Sequence, residues 1–233
     1  MTGFTIPQPA KLKATNFRLT RMQAFNPVRG GHHQTADLGE PLWSCDFQTT
    51  PLNREQAGLW RALAMRLRGK ARTVYLYDAA FARPAAYADP NSDTAWLASS
   101  TVVLASTTTS LASGETKPWG APQVVEYDRT NSLLKLTGLT AYATLSAGDF
   151  GAWDDGPARR LVQIIETVAA DANGEAWVQV EPAPPSTQTY LPAPFIMERA
   201  AAEMVLTEFS APFQVGSGVA AVSGAGIQII QRS

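Results

Sequence analysis

Residues 42–50 alternate, with Trp43, Cys45 and Phe47 on one side and Leu42, Ser44 and Asp46 on the other. That period of two predicts a strand with one face against a core. Immediately afterwards the period lengthens. Trp60, Leu63, Ala64 and Leu67 recur at i, i+3, i+4 and i+7 and define one apolar stripe of a helix. Asn53 stands where an N-cap is needed, and Gln56 is three residues on, so a capping box opens a helix predicted over residues 53–68. Gly69 is its expected left-handed stop. Val74, Tyr75, Leu76 and Tyr77 then predict a strand laid against that helix.

The rest of the chain reads almost entirely as strands and turns. Residues 16–25 alternate around Phe17 and Leu19 and predict a first strand, followed by a loop over residues 27–35. Residues 145–185 predict three consecutive strands in a meander. Asp154, Asp155, Gly156 and Pro157 mark one tight turn and Asp171, Ala172, Asn173 and Gly174 the other, since Gly and Asn accept the positive φ of a close reversal. Ser/Thr-rich strands are predicted at 101–108, 123–127 and 133–137. Two Pro-containing stretches, 79–92 and 182–194, read as connections that bracket an all-β insert. The expected division is 1–92 with 190–233 as one domain and 93–189 as the other. Residues 216–232 contain Ile227, Ile229 and Ile230 and predict a last strand returning to the first domain.

Composition adds limits more than chemistry. The 233 residues are 45% hydrophobic and the 17 Gly and 16 Pro are spread between apolar runs, as in turn-rich β proteins. A formal net charge of −1 gives the whole chain no field that would gather DNA or an anionic membrane. Cys45 is the single cysteine, which rules out an intrachain disulfide and predicts a small packed thiol. No apolar run approaches the roughly 18 residues that cross a bilayer, and the N-terminal residues lack a secretion signal's charge order. A soluble protein made in a cytoplasm is expected.

Side chains equipped for catalysis are scarce. His32 and His33 are the two histidines; adjacent residues diverge, so the pair is expected as solvated loop residues rather than a metal or acid-base site. No nucleophile elbow or phosphate-cradling glycine motif is present. Asp171, Asn173 and Glu175 have the alternate spacing that opens a calcium loop, but a hairpin turn explains them. Asp149, Asp154, Asp155 and Glu166 are weighed as a carboxylate pair against ordinary turn residues, and the turn reading is preferred. The expectation is a protein that is not an enzyme and has no cofactor or metal. Arg54, Arg61, Arg66, Arg68, Lys70 and Arg72 concentrate positive charge around the predicted helix. They are read either as a solvated face or as a cluster that pairs with acidic groups or phosphates.

Two stretches resemble a known family. Residues 145–150, followed by a turn, a strand and residues 170–176 leading to Glu181 and Pro182, resemble tail-tip proteins of long-tailed bacteriophages and phage-like gene transfer agents. Residues 38–43, the helix 53–68, Gly69 and the strand 73–77 are similar to the N-terminal part of distal tail proteins. The resemblance implies a mainly β fold. It consists of an N-terminal β-barrel or sandwich-like ring-forming domain with one packed helix, completed by the C-terminal segment, and an inserted all-β domain of OB-fold or galectin-like type. It favours strand over helix for residues 195–209, where the Ala and Met content alone would suit a helix. It further implies a structural protein of the virion's tail tip or baseplate: a homohexameric ring between the tail tube and the hub and receptor-binding apparatus. Tube, hub and tape measure proteins would be partners, DNA would pass through the lumen without sequence recognition, and no part would insert in a membrane. Phe4, Ile6, Arg61, Arg66 and Arg68 are the expected subunit-interface residues. Trp153 and Trp177 are expected glycan contacts if the insert instead binds a host polysaccharide.

Overall fold

The pattern of burial follows these periods closely, and the architecture is best traced from the strands. A computed structural model of the chain describes residues 4–5, 12–27, 33–37, 39–49, 52–68, 71–78, 80–87, 101–104, 107–110, 119–156, 158–185, 190–210 and 223–228. Its first elements are β1 (Phe4–Thr5), β2 (Leu12–Thr20), β3 (Gln23–Pro27), β4 (His33–Asp37), β5 (Leu42–Thr49), α1 (Arg54–Leu67) and β6 (Val74–Tyr77). Then come β7 (Thr101–Leu104), β8 (Thr107–Ser110), β9 (Gly120–Asp128), β10 (Leu133–Leu139), β11 (Thr144–Leu145) and β12 (Phe150–Asp155). The chain ends with β13 (Ala158–Ile164), β14 (Val168–Ala169), β15 (Ala176–Glu181), β16 (Ala193–Pro194), β17 (Ala201–Ser210) and β18 (Ser223–Gln228). The protein is mainly β and forms two compact units, residues 1–80 with 201–233, and residues 81–200.

The first unit is built on a six-stranded sheet in the order β1-β6-β17-β18-β5-β2. β18 lies between β17 and β5, antiparallel to both, so the C-terminal strand is a central one. In β5, Trp43, Cys45, Phe47 and Thr49 are buried, as alternation requires. α1 buries Ala57, Trp60, Leu63 and Leu67, and the Trp60 ring stacks on Phe47 with centroids 5.9 Å apart. Burying side chains of this size contributes about 1.5–3 kcal/mol each. The capping box is present: Gln56 N–H donates to Asn53 Oδ1 (2.8 Å) and Asn53 N–H donates to Gln56 Oε1 (3.1 Å).

Local departures from the expected elements have physical causes. Arg68 takes a left-handed cap (φ 48°, ψ 46°), its N–H donating to the Met65 carbonyl at 3.4 Å, while Gly69, the expected stop, lies outside the described residues. The first strand starts earlier and stops at Thr20, and residues 23–27 instead pair with 33–37 as a separate hairpin, so His33 lies in a strand. His32 lies outside the described residues. Of residues 195–209, expected as strand, 201–209 lie in β17, where Ala201, Ala202, Glu203 and Met204 are buried on both faces, and 195–200 lie outside it.

The second unit closes on itself. Its sheet runs β12-β13-β15-β10-β9-β16 and is nearly a closed barrel. Residues 193–196 join the two ends: Ala193 pairs with Val124 of β9, and Ile196 exchanges both backbone hydrogen bonds with Ala152 of β12 (2.7 and 2.8 Å). Residues 190–200, expected with the first domain, therefore belong to the second compact unit. Residues 81–87 belong there too, held by Ala85 N–H donating to Asp149 and by Phe81 against Phe150. The meander is incomplete. β12 and β13 form the expected hairpin, but β14 pairs with β11, and β13 meets β15 over only Gln163–Glu181 and Ile164–Val180. Trp119, Leu134, Leu136, Leu145, Val178 and Met197 fill the core.

Two glycines make close approaches possible. A Cβ on Gly151 would stand 1.9 Å from Phe195 Cζ, so its absence admits that ring. Gly174 has φ 76° and a Cβ there would meet the Leu139 carbonyl oxygen at 2.1 Å. Gly174→Ala is expected to destabilise the chain by about 2 kcal/mol or more, because both the backbone conformation and the contact are incompatible with a side chain. Asn53→Ala is expected to cost about 1 kcal/mol through the lost cap. Urea midpoints with unchanged slope would register both losses; a midpoint for Gly174→Ala equal to wild type would contradict the packing described.

Candidate functional site

Carboxylates are the first groups to consider, since a hydrolytic site would need them. Asp149, 1% exposed, accepts backbone N–H groups from Ala85 (2.7 Å) and Ser146 (2.9 Å). Burial pushes its pKa up, and the two N–H donors partly offset that rise. Asp154 is engaged in a two-point ion pair with Arg159 (2.7 and 2.8 Å), and Asp155 pairs with Arg160 at 3.3 Å. Glu166 is exposed. Asp149, Asp154 and Asp155 thus tie down a turn and neighbouring strands. Asp171 does the same for its hairpin, its Oδ1 accepting N–H groups from Glu175 and Asn173 (both 2.8 Å), which hold its pKa below the usual carboxylate range. Among the described residues no group of three or more His, Cys, Asp or Glu side chains is arranged to hold a metal ion.

In the first unit, Cys45 is buried, and burial, with Asp46 and Asp78 nearby, pushes its thiol up to about 12, far from a thiolate nucleophile. Glu203 is buried and accepts a hydrogen bond from the Thr73 hydroxyl. The alternating pattern around residue 203 gave no sign of that burial, because an acid in a strand is ordinarily on the wet face.

The sequence-expected contact residues separate into three groups. Trp153 is a correction: it is 1% exposed, with its ring 6.4 Å from that of Phe195, and lies in the barrel core. A barrel-like sheet turns one face of its strands inward, and Trp153 is on that face, so its ring has no surface on which a sugar can stack. Trp119 is likewise buried in the core. Trp177 is 43% exposed on β15, opposite Lys135 of β10. Phe4 lies in β1, whose backbone pairs in parallel with β6 of its own sheet, while Ile6 lies outside the described residues. Arg61, Arg66 and Arg68 are all exposed on or just after α1.

Two surface features remain. An open groove of about 370 Å³ in the second unit is lined by Trp119, Pro122, Gln123, Pro194, Phe195 and Met197, where β9 and residues 194–197 diverge. Its walls are mostly apolar, with no acid or base among these residues. The other is the sheet edge of the first unit. Among the described residues no strand pairs with the outer side of β2, and its residues 16–20 alternate between exposed and half-buried. Edges of this kind accept a further strand. No family model matches the sequence, and no curated protein matches it.

The raised pKa of Asp149 has a definite sign. The folded chain binds the proton more tightly than the unfolded one, so this group's contribution to stability is fully present below the ordinary carboxylate pKa. It is lost as pH rises through the higher folded value. Wild type is therefore expected to lose stability relative to Asp149→Asn as pH is raised through that interval, read as the difference in unfolding midpoints. A difference independent of pH would contradict the assignment.

Proposed function

We propose that the chain is a structural component of a bacteriophage or gene transfer agent tail tip, a distal tail protein whose copies assemble into a ring between tail tube and hub. The observation that carries this reading is the contrast between the two sheets. Residues 81–200 nearly close their sheet through residues 193–196, whereas among the described residues the first unit keeps a nine-residue edge strand, β2. An edge of that length, left open in a folded chain, favours aggregation unless something pairs with it. Copies arranged about a rotation axis provide that pairing and remove every edge at once. The resemblance of residues 38–77 and 145–181 to tail-tip proteins adds the biological setting, and ring number six comes from that resemblance alone. The side-chain inventory is consistent with a building block: the acids found serve turns and ion pairs.

Trp177 favours a second reading, in which the second unit, as an OB-fold or galectin-like module, holds a host polysaccharide. An indole 43% exposed on a rigid strand is a stacking surface for a sugar ring. Glycan-array binding lost in Trp177→Ala would support it, and silence across host glycans would not.

The ring reading is tested by negative-stain imaging of the purified chain at increasing concentration, together with antibody labelling of particles. Closed rings and label at the tail tip are expected. A chain that stays monomeric at high concentration and labels no tail tip overturns the proposal.

A further inference from the structure

The net charge of −1 conceals a division. Residues 1–80 with 201–233 carry 12 Lys and Arg against 7 Asp and Glu, a formal +5; residues 81–200 carry 7 against 13, a formal −6. Formal charges of opposite sign on the two compact units favour contacts that bring unlike units of different copies together.

The positive unit has a surface that fits such a contact. On α1 the buried residues Ala57, Trp60, Leu63 and Leu67 occupy one side, leaving Gly58, Ala62 and Met65 in line on the opposite side at i, i+4 and i+7. Met65 (68% exposed) lies on that line and Leu59 (45% exposed) on its flank, both large apolar side chains in water, with exposed Arg61 and Arg66 on either side of the line. Glu55 is the one acid within the helix. An apolar centre rimmed by guanidinium groups matches the composition of protein interfaces, where Met and Arg are enriched. It matches a phosphate backbone poorly, because Leu59 and Met65 would gain nothing there. The acid-rich unit offers the complement, including Ile165, 45% exposed, beside exposed Glu166.

We propose that the exposed face of α1 docks on the acid-rich unit, residues 81–200, of a second copy, with Gly58, Ala62 and Met65 at the centre, Leu59 on one flank, and Arg61 and Arg66 supplying charge-assisted contacts at the rim. This contact rests on the self-assembly proposed above but is separate from pairing at β2. It predicts that assembly is sensitive to salt in a way that strand pairing alone is not.

Sedimentation velocity of the full chain at about 50 and 500 mM NaCl tests it, with Arg61→Glu/Arg66→Glu as the disrupting variant and Arg61→Lys/Arg66→Lys as the charge-conserving one. Circular dichroism confirms that both remain folded. Self-association at low salt is expected to weaken on the order of tenfold or more in the Glu variant and at high salt, while the Lys variant stays much nearer wild type. Association unchanged in the Glu variant overturns this contact and leaves the ring reading standing. A monomer under every condition overturns both. A parallel titration with duplex DNA separates the remaining case: if the Glu variant loses DNA binding while association is unaffected, the face serves phosphates and the proposal fails.

Discussion

Strand edges govern this structure. A β-sheet must place its outermost N–H and C=O groups somewhere, and the two units treat that requirement differently. In the second, residues 193–196 bond to β9 on one side and, through Ile196 and Ala152, to β12 on the other, so the sheet nearly closes within the unit. In the first, β18 and β5 are enclosed, yet β2 ends the sheet with its outer side unpaired among the described residues. A nearly closed barrel and a sheet whose β2 edge is unpaired among the described residues occur in one chain, and the functional reading follows from the second.

The interior of each unit explains why its edges lie where they do. α1 covers one face of the first sheet through Trp60 on Phe47, and a capping box fixes where the helix begins. In the second unit Gly151 admits Phe195 against β12, which brings residues 193–196 close enough to bridge the sheet ends. Asp149 then fastens residues 85 and 146 to the same region through two backbone N–H groups. Asp149, Asp154, Asp155 and Asp171, which looked available for chemistry, are thus engaged in holding turns and strands.

Much of this was legible in the sequence where local chemistry decides the outcome. Period-two burial in β5, the Asn53–Gln56 cap and the Asp171 turn follow from residue types within a few positions of each other. Closure by residues 193–196 was not legible, because the partners Val124 and Ala152 are distant in sequence and a Pro-containing stretch reads as a connection. Trp153 was misplaced for a related reason: its exposure depends on which face a closed barrel turns inward, and spacing along one strand does not reveal that. The opposed charges became visible only once the unit boundaries at 80/81 and 200/201 were fixed, since their sum over the chain nearly vanishes.

Amide hydrogen exchange on the full chain, measured from dilute to concentrated solution, addresses the open edge most directly. If copies pair through β2, the outward-facing amides of residues 12–20 gain protection as concentration rises, while β9, β10 and β12 in the second unit keep constant rates. Rates for residues 12–20 that stay the same across the whole concentration range, in solutions where larger species are present, would contradict assembly through that strand.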